Sequence, residues 1–304
     1  MDQPLDCLIV GGGPAGLTAA IYLARFHLKI LIVDDGKGRA QSIPCTRNLS
    51  GFPDGIGGKE ILGRMRAQAQ RYGAEIADAF VTRLDASRGG FEASWGERSV
   101  KARTVLLATG VKNRRPPMDE DLHDDALQRG LIRYCPICDG YEVTDKRVGV
   151  IGSDSHGVAE AIFMRSYTPD VTLIAPDKAM RLKAEDSDRL KRAEVPCVDG
   201  PAQAVAIAED CIVVETADGT FTFDTVYPAL GSDTHVALAE QVGAKLAANG
   251  CLVTDAHQRT SIPGLYAAGD VVLGLDQISH AMGQGGVAAT TIPNDLAKER
   301  PLLR

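Results

Sequence analysis

The 304-residue sequence predicts an α/β fold built from two copies of one strand–turn–helix–strand unit. Three observations carry the prediction. Residues 5–10 (LDCLIV) are an apolar run of strand length, followed by GGGPAG, a helical stretch LTAAIYLARFH and a second apolar run KILIVDDG. After a proline-marked linker, NRRPP at 113–117, the pattern restarts as RVGVIG, a helix GVAEAIFMRSY and the strand DVTLIA. Laid over one another, the units match Gly11 with Gly152, Gly16 with Gly157, Ala20 with Ala161, Ile21 with Ile162 and Tyr22 with Phe163. A repeat of this length implies two Rossmann-like dinucleotide-binding domains. The expected boundaries are 1–113 plus 232–304 for a discontinuous first domain and 114–231 for a smaller, inserted second one.

The remaining elements follow in order. Residues 59–72 (KEILGRMRAQAQRY) read as an amphipathic helix, and Val100 to Gly110 as a strand ending in ATG. The pattern shifts near Gly231. TSIPGLYAAGDV (260–271) reads as a loop and short strand, and IPNDLAKERPLLR as a closing helix and tail.

Composition excludes several classes. A net charge of −7 without a basic cluster argues against a general nucleic-acid binder. The seven cysteines are scattered apart from one pair, and MDQPLD resembles no targeting signal, which suits a reducing, cytoplasmic setting. Cys7 to Ala24 is uncharged over 18 residues, but Gly11, Gly12, Gly13 and Pro14 would break a membrane span, so no membrane partner is expected. Glycine is in excess: 32 residues, against roughly 21 for an average chain of this length. With no three-residue period, they belong where backbone turns sharply or approaches something closely.

The first glycine turn carries a specific chemistry. In Gly11-x-Gly13-x-x-Gly16, the first glycine makes the turn, the second lets backbone approach a pyrophosphate, and the third lets helix pack on strand. The helix N-terminus faces the phosphates, and Asp34 at the end of the next strand can accept ribose hydroxyls. Gly11, Gly13, Pro14, Ala15, Gly16 and Asp34 are the candidate binding residues of this unit.

Cys135-Pro136-Ile137-Cys138-Asp139-Gly140 is the reactive candidate. Two intervening residues allow a disulfide at a helix start, where the positive helix end favours thiolate. Asp139 can pass protons to and from the sulfurs. A zinc site would need two more ligands, and Cys7, Cys45, Cys197, Cys211 and Cys251 lie far apart, so no metal is expected. Redox use is the expected chemistry, with inert cysteines the bland alternative.

In the order GGGPAG, LLATG (106–110), CxxCDG ahead of a second nucleotide fold, and TSIPGLYAAGD (260–270), nearly the whole chain resembles the low-molecular-weight thioredoxin reductases (class II pyridine nucleotide-disulfide oxidoreductases). The resemblance implies an FAD domain with an inserted NADPH-type domain. Thr109, Gly110, Gly269 and Asp270 would then contact FAD, Asp270 at the ribityl–phosphate end. Gln277 and Ile278 would begin a last helix aimed at the flavin's pyrimidine edge. Cys138 would lie against the flavin, Cys135 would attack the partner disulfide, and Asp139 would be the acid/base. The resemblance further implies a homodimer through the FAD domain, two alternating domain orientations, and a thioredoxin-like protein or small dithiol/disulfide as partner.

The sequence departs from that family in the second glycine turn. Gly152-Ser153-Asp154-Ser155-His156-Gly157 puts a carboxylate where the pyrophosphate should approach, and it can itself accept the helix N-terminal N–H groups. A unit charge at ~4 Å costs about 1 kcal/mol in water and about 4 near a protein surface, a loss of roughly 5- to 1000-fold in affinity. Ala175 stands where Asp34 has its match, so no ribose acid follows. Of the family's basic run for the 2′-phosphate only Arg181 remains, with Lys178 and Lys183 nearby. NADP(H) use is therefore expected to be weak or absent.

Three electron routes remain open at this point: NADPH to thioredoxin, a ferredoxin or flavoprotein donor, or reverse flow from a dithiol to O₂, as in the related dithiol oxidases. A flavin-binding redox sensor without turnover is a different class, as is an NAD(P)H:acceptor reductase that ignores the cysteines. His280 could donate a hydrogen bond near the flavin or simply lie at the surface. Cys45 is expected to be a structural thiol.

Overall fold

The computed structural model describes residues 3–180, 182–202, 204–299 and 301–302. In chain order the first part carries β1 (Leu5–Val10), α1 (Pro14–Arg25), β2 (Ile30–Asp34), α2 (Gly58–Arg71), β3 (Glu75–Asp78), β4 (Arg83–Ser87), β5 (Gly90–Trp95), β6 (Arg98–Leu107) and β7 (Val111–Asn113). The middle part carries α3 (Glu120–Gln128), α4 (Pro136–Asp139), β8 (Val148–Ile151), α5 (Ser155–Met164), β9 (Val171–Ile174), α6 (Ala184–Arg192), β10 (Cys197–Val198), β11 (Ala204–Ala208), β12 (Cys211–Thr216), β13 (Gly219–Phe223) and β14 (Thr225–Pro228). The chain closes with β15 (Ser232–Thr234), α7 (Ala237–Gln241), β16 (Leu265–Ala267) and α8 (Ile278–Glu299).

The chain divides into two compact units. Unit 1 comprises Met1–Ser42, Gly57–Lys112 and Asp233–Arg304. Unit 2 comprises Ile43–Ile56 and Asn113–Ser232. Residues 43–56, which the sequence assigned to the first domain, therefore cluster with the second. Within that segment Thr46 and Ile56 bridge backbone to backbone, their N–H groups donating at 2.9 and 3.0 Å.

Among the described residues, unit 1 is built on a sheet ordered β3-β2-β1-β6-β5-β4, with β16 also paired to β6. Its β3, β2, β1, β6 and β16 run parallel, and β4 and β5 form an antiparallel hairpin. The carboxyl ends of β1 (Cys7–Val10) and β6 (Val105–Leu107) are apolar without alternation because both faces are covered, so Leu8, Ile9, Leu106 and Leu107 are fully buried. Unit 2 repeats the scheme with a parallel sheet β10-β9-β8-β14 and an antiparallel three-stranded sheet β11-β12-β13. It has its own core, with Val150, Ile151, Leu173 and Val226 at its centre. The internal repeat seen in sequence is thus a repeat of topology. In both units a glycine turn lies between the first parallel strand and its helix, at the sheet's carboxyl edge, where α/β folds bind ligands.

Helix limits differ from the sequence reading in instructive ways. α1 begins at Pro14, where a missing N–H costs nothing. α5 begins at Ser155 because Asp154 caps it. α8 is one continuous helix of 22 residues that runs through Pro293, so the last helix expected from Gln277–Ile278 and the closing helix expected over IPNDLAKE are one element. Beyond that proline, Asp295 takes a fork of two bonds from Arg259 at 2.6 and 3.0 Å and one from Tyr266 at 2.9 Å, which fixes the helix end. No helix among the described residues is long and apolar enough to cross a membrane.

Candidate active site

The glycine turn of unit 1 has a distinct reason for each glycine. Gly11 has φ +105°, and a Cβ there would lie 2.3 Å from the Ala108 carbonyl oxygen. A Cβ on Gly16 would lie 2.0 Å from the Gly11 carbonyl, so strand and helix touch only because it is absent. Gly13 faces open space instead. It is the N-cap of α1, and no side chain caps that helix. The N–H groups of the first turn are therefore left for a ligand, the arrangement an anionic group requires.

The other predicted binding residues of unit 1 surround this turn. Asp34 accepts the Gly12 N–H at 2.8 Å and pairs with Arg66 at 3.0 Å, so its carboxylate braces the turn as well as facing it. Ala15 approaches both Gly269 and Gly285, where an added Cβ would lie 3.0 and 2.3 Å from Ala15 atoms. Thr109 and His235 bond reciprocally through backbone carbonyls at 2.8 and 2.9 Å, next to Gly110. Gly269 donates its N–H to Gln284 at 2.7 Å. Asp270 pairs with Arg39 at 2.7 Å, and burial raises its pKa against the pull of that guanidinium. Gln277 and Ile278 stand at the start of α8, where the Gln277 carbonyl takes the Ala281 N–H at 2.9 Å. One turn on, His280 buries its Nε2 with no partner among the described residues.

In unit 2, Cys135 and Cys138 form a disulfide, with their Cα atoms 5.2 Å apart. Cys135 is the N-cap of α4, and its Sγ accepts the Cys138 N–H at 3.2 Å. α4 has only four residues before the chain passes into a 3-10 turn at Gly140–Val143. The expected help from a helix end is therefore small, because a single turn sums few peptide dipoles. Gly140 is held against Tyr167, whose ring would lie 2.5 Å from an added Cβ.

The acid next to the disulfide is tightly held. Asp139 receives Arg133 on Oδ2 at 3.0 Å and the Tyr227 hydroxyl on Oδ1 at 2.9 Å. Burial raises its pKa, and both partners oppose that rise. Sequence reading missed Arg133 and Tyr227. Tyr227 is fully buried in β14, and a buried tyrosine hydroxyl in an apolar strand is a signal that a partner exists. Also missed were His123 and Tyr134. His123 is buried and bridges Asp124 at 2.9 Å and the Tyr134 hydroxyl at 2.7 Å, fixing the residue just before Cys135.

The second glycine turn puts a carboxylate at the N-cap position. Asp154 caps α5, its Oδ1 accepting the His156 and Gly157 N–H groups at 3.1 and 2.9 Å. Ser155 is turned away to Asp186 at 2.8 Å. Ala175 is buried, Lys183 is the N-cap of α6 with Lys178 in the chain between β9 and that helix, and Arg181 lies outside the described residues. Elsewhere, burial pushes the Cys7 thiol up to about 12, which makes it unreactive. Cys45 is half-buried against Gly55, whose Cβ would lie 2.5 Å from its sulfur.

Comparison with known proteins settles the lineage. Residues 5–285 match the family model described as pyridine nucleotide-disulphide oxidoreductase. The chain belongs to that family. It is an enzyme of the disulfide oxidoreductase class and thioredoxin reductase-like in sequence and fold. The thioredoxin reductase of Listeria monocytogenes is 30% identical over 300 residues, 93% of this chain and 91% of that protein. The crystal structure of thioredoxin reductase from Streptococcus pyogenes superposes with a TM-score of 0.88 at 27% identity, over 98% of this chain and 100% of that one. The crystal structure of HlmI superposes with a TM-score of 0.89 at 26% identity, over 98% of this chain and 94% of that one.

Proposed function

We propose that this family member is an FAD-dependent thiol–disulfide oxidoreductase that works through Cys135 and Cys138 and makes little or no use of NADPH. The first glycine turn fits a dinucleotide: Gly13 leaves space, the α1 N-terminus has no side-chain cap, and Gly11 and Gly16 permit the close packing beneath it. Gly11, Gly13, Pro14, Ala15 and Gly16 would hold the pyrophosphate, with Asp34 toward the ribose. Thr109, Gly110, Gly269, Asp270, Gln277 and Ile278 would hold the remainder. Bound FAD supplies a two-electron store for the cysteine pair.

The cysteines' own chemistry is thiol–disulfide exchange. A thiolate of the partner dithiol attacks the Cys135 sulfur, the Cys135–Cys138 bond breaks, and the Cys138 sulfur leaves and takes a proton. The partner's second thiolate then displaces Cys135, so the partner ends as a disulfide and the protein as a dithiol. In reverse, the Cys135 thiolate opens a partner disulfide and Cys138 resolves the mixed disulfide. Asp139, next in the chain, would carry the proton at the Cys138 sulfur. Relatives named thioredoxin reductase make a thioredoxin-like protein the first partner to try.

One observation carries the nucleotide part of the reading: the Asp154 carboxylate takes two N–H groups of α5 that a pyrophosphate would otherwise use. It also supplies a negative charge at the spot where phosphates must come. The same observation favours electron donors other than pyridine nucleotides, or dithiol oxidation by O₂. An anaerobic titration followed by flavin absorbance tests this. Dithiothreitol is expected to bleach the flavin in the wild type and not in Cys138→Ser, whereas NADPH and NADH leave it oxidised. Rapid stoichiometric bleaching by NADPH would overturn the nucleotide part. Equal bleaching by dithiothreitol in Cys138→Ser would overturn the cysteine part. Oxygen uptake with dithiothreitol then separates an oxidase from an enzyme waiting for a protein donor.

A further inference from the structure

The carboxylate beside the disulfide is held from both ends by groups that lie outside the CPICDG motif. Arg133 reaches Oδ2 of Asp139 at 3.0 Å from the segment before α4. Tyr227 reaches Oδ1 at 2.9 Å from β14, on the far side of the inserted unit's chain. We propose that Arg133 and Tyr227 are the positioning residues of Asp139, fixing its carboxylate so that it trades protons with the cysteine pair from one place and in a controlled charge state. The proposal rests on the reading of Asp139 as the proton carrier.

The chemistry of each group supports it. A carboxylate buried without partners goes neutral, and then parts with its proton only at a higher pH. Arg133 opposes this with a charge-assisted bond, which favours the ionised form. Its Nε also donates to the Gly130 carbonyl at 3.1 Å, so the guanidinium is anchored before it reaches the acid. The Tyr227 hydroxyl cannot compete for the proton, since burial beside a carboxylate raises its own pKa, and it acts only as a donor. A phenylalanine would fill the same space in β14 and leave Oδ1 without that bond. One further charge faces the group: Glu142 in the following 3-10 turn pushes Asp139 upward, and it is itself approached by Arg47 at 3.8 Å. Each carboxylate oxygen keeps a second lone-pair site, so the two bonds leave room for exchange with a sulfur.

The test follows the sulfurs rather than turnover. The FAD-loaded protein is mixed anaerobically with dithiothreitol across pH, quenched into excess N-ethylmaleimide, and the opened Cys135–Cys138 pairs are counted by mass. Rates are divided by the dithiothreitol thiolate fraction, which leaves the limb due to the protein's proton donor. The wild type is expected to show that limb, and Asp139→Asn to lose it. Arg133→Met is expected to move it upward by about 1–3 pH units, the size of effect an adjacent guanidinium has on a carboxylate. Tyr227→Phe should move it the same way by less, and Arg133→Lys should return it toward the wild-type position. A limb that vanishes in Asp139→Asn but stays in place in both Arg133→Met and Tyr227→Phe overturns the positioning role. A limb that persists in Asp139→Asn overturns the underlying role of Asp139 instead. If Arg133→Met fails to fold by circular dichroism, Tyr227→Phe and Arg133→Lys decide the matter.

Discussion

Gly13 and Asp154 occupy the same N-cap position in two matching turns, but Gly13 leaves α1 without a side-chain cap whereas the Asp154 carboxylate takes two N–H groups of α5. Replacing Asp154 with glycine frees two N–H groups and removes one negative charge. NADPH affinity, measured by equilibrium fluorescence titration, is expected to rise at least about fivefold, the lower bound of the charge penalty. Stability should fall by only a few tenths of a kcal/mol, because glycine is a tolerable N-cap. This cap was legible in sequence, since an aspartate reaches N–H groups two and three residues on. The Tyr227–Asp139 bond was not, because 88 residues separate the pair and no local pattern records it. Asp295 gives a pH prediction at the same scale. Arg259, Lys298 and Tyr266 hold its pKa well below the ordinary carboxylate range. A depressed folded-state pKa stabilises the protein above the unfolded value, near 3.9, and the contribution is lost as pH falls below it. Asp295→Asn is expected to cost about 2 kcal/mol at pH 7, the scale of a charged hydrogen-bond set, with the gap to wild type starting to narrow below about pH 4 and narrowing further as pH falls through the lowered folded-state value, read by chemical denaturation.

The helices α1 and α8 pack where side chains are smallest. Gly285 of α8 lies so close to α1 that its Cβ would meet the Ala15 carbonyl oxygen at 2.3 Å, and backbone cannot rotate away as a side chain could. Gly285→Ala is therefore expected to destabilise by about 1–3 kcal/mol. Thermal unfolding should register it, and because Ala15 belongs to the proposed pyrophosphate turn, bound FAD per chain should fall as well. The GxGxxG spacing already separated the packing glycine from the one that leaves space in the first turn, but nothing in the sequence showed that Gly285 of α8 packs on Ala15. Within GGGPAG, Gly13 has open space and Gly16 has a carbonyl against it. Pro293 lies inside α8 without ending it. A proline marks a helix break only when nothing else holds the chain, and here Arg259 and Tyr266 hold the turn beyond it.

Each of the two units carries its own buried core and its own parallel sheet. Unfolding is therefore not expected to follow a single two-state transition. A ligand that binds one unit stabilises that unit by mass action. Stripping FAD should lower the calorimetric transition of unit 1 by several degrees and leave that of unit 2 in place, and a uniform shift of one merged transition would contradict this. The two-unit plan was legible because a βαβ motif repeated along the chain. The assignment of residues 43–56 was not, because a short segment without strong periodicity takes its place from tertiary contacts alone. The carboxylate cap on α5 has a last consequence. In an ordinary nucleotide-binding domain, the helix end waits for its ligand, so the fold tightens when cofactor is plentiful and loosens in starvation. Here the bonds are supplied from within the chain. The heat resistance of unit 2 should accordingly be indifferent to the cell's nicotinamide pool.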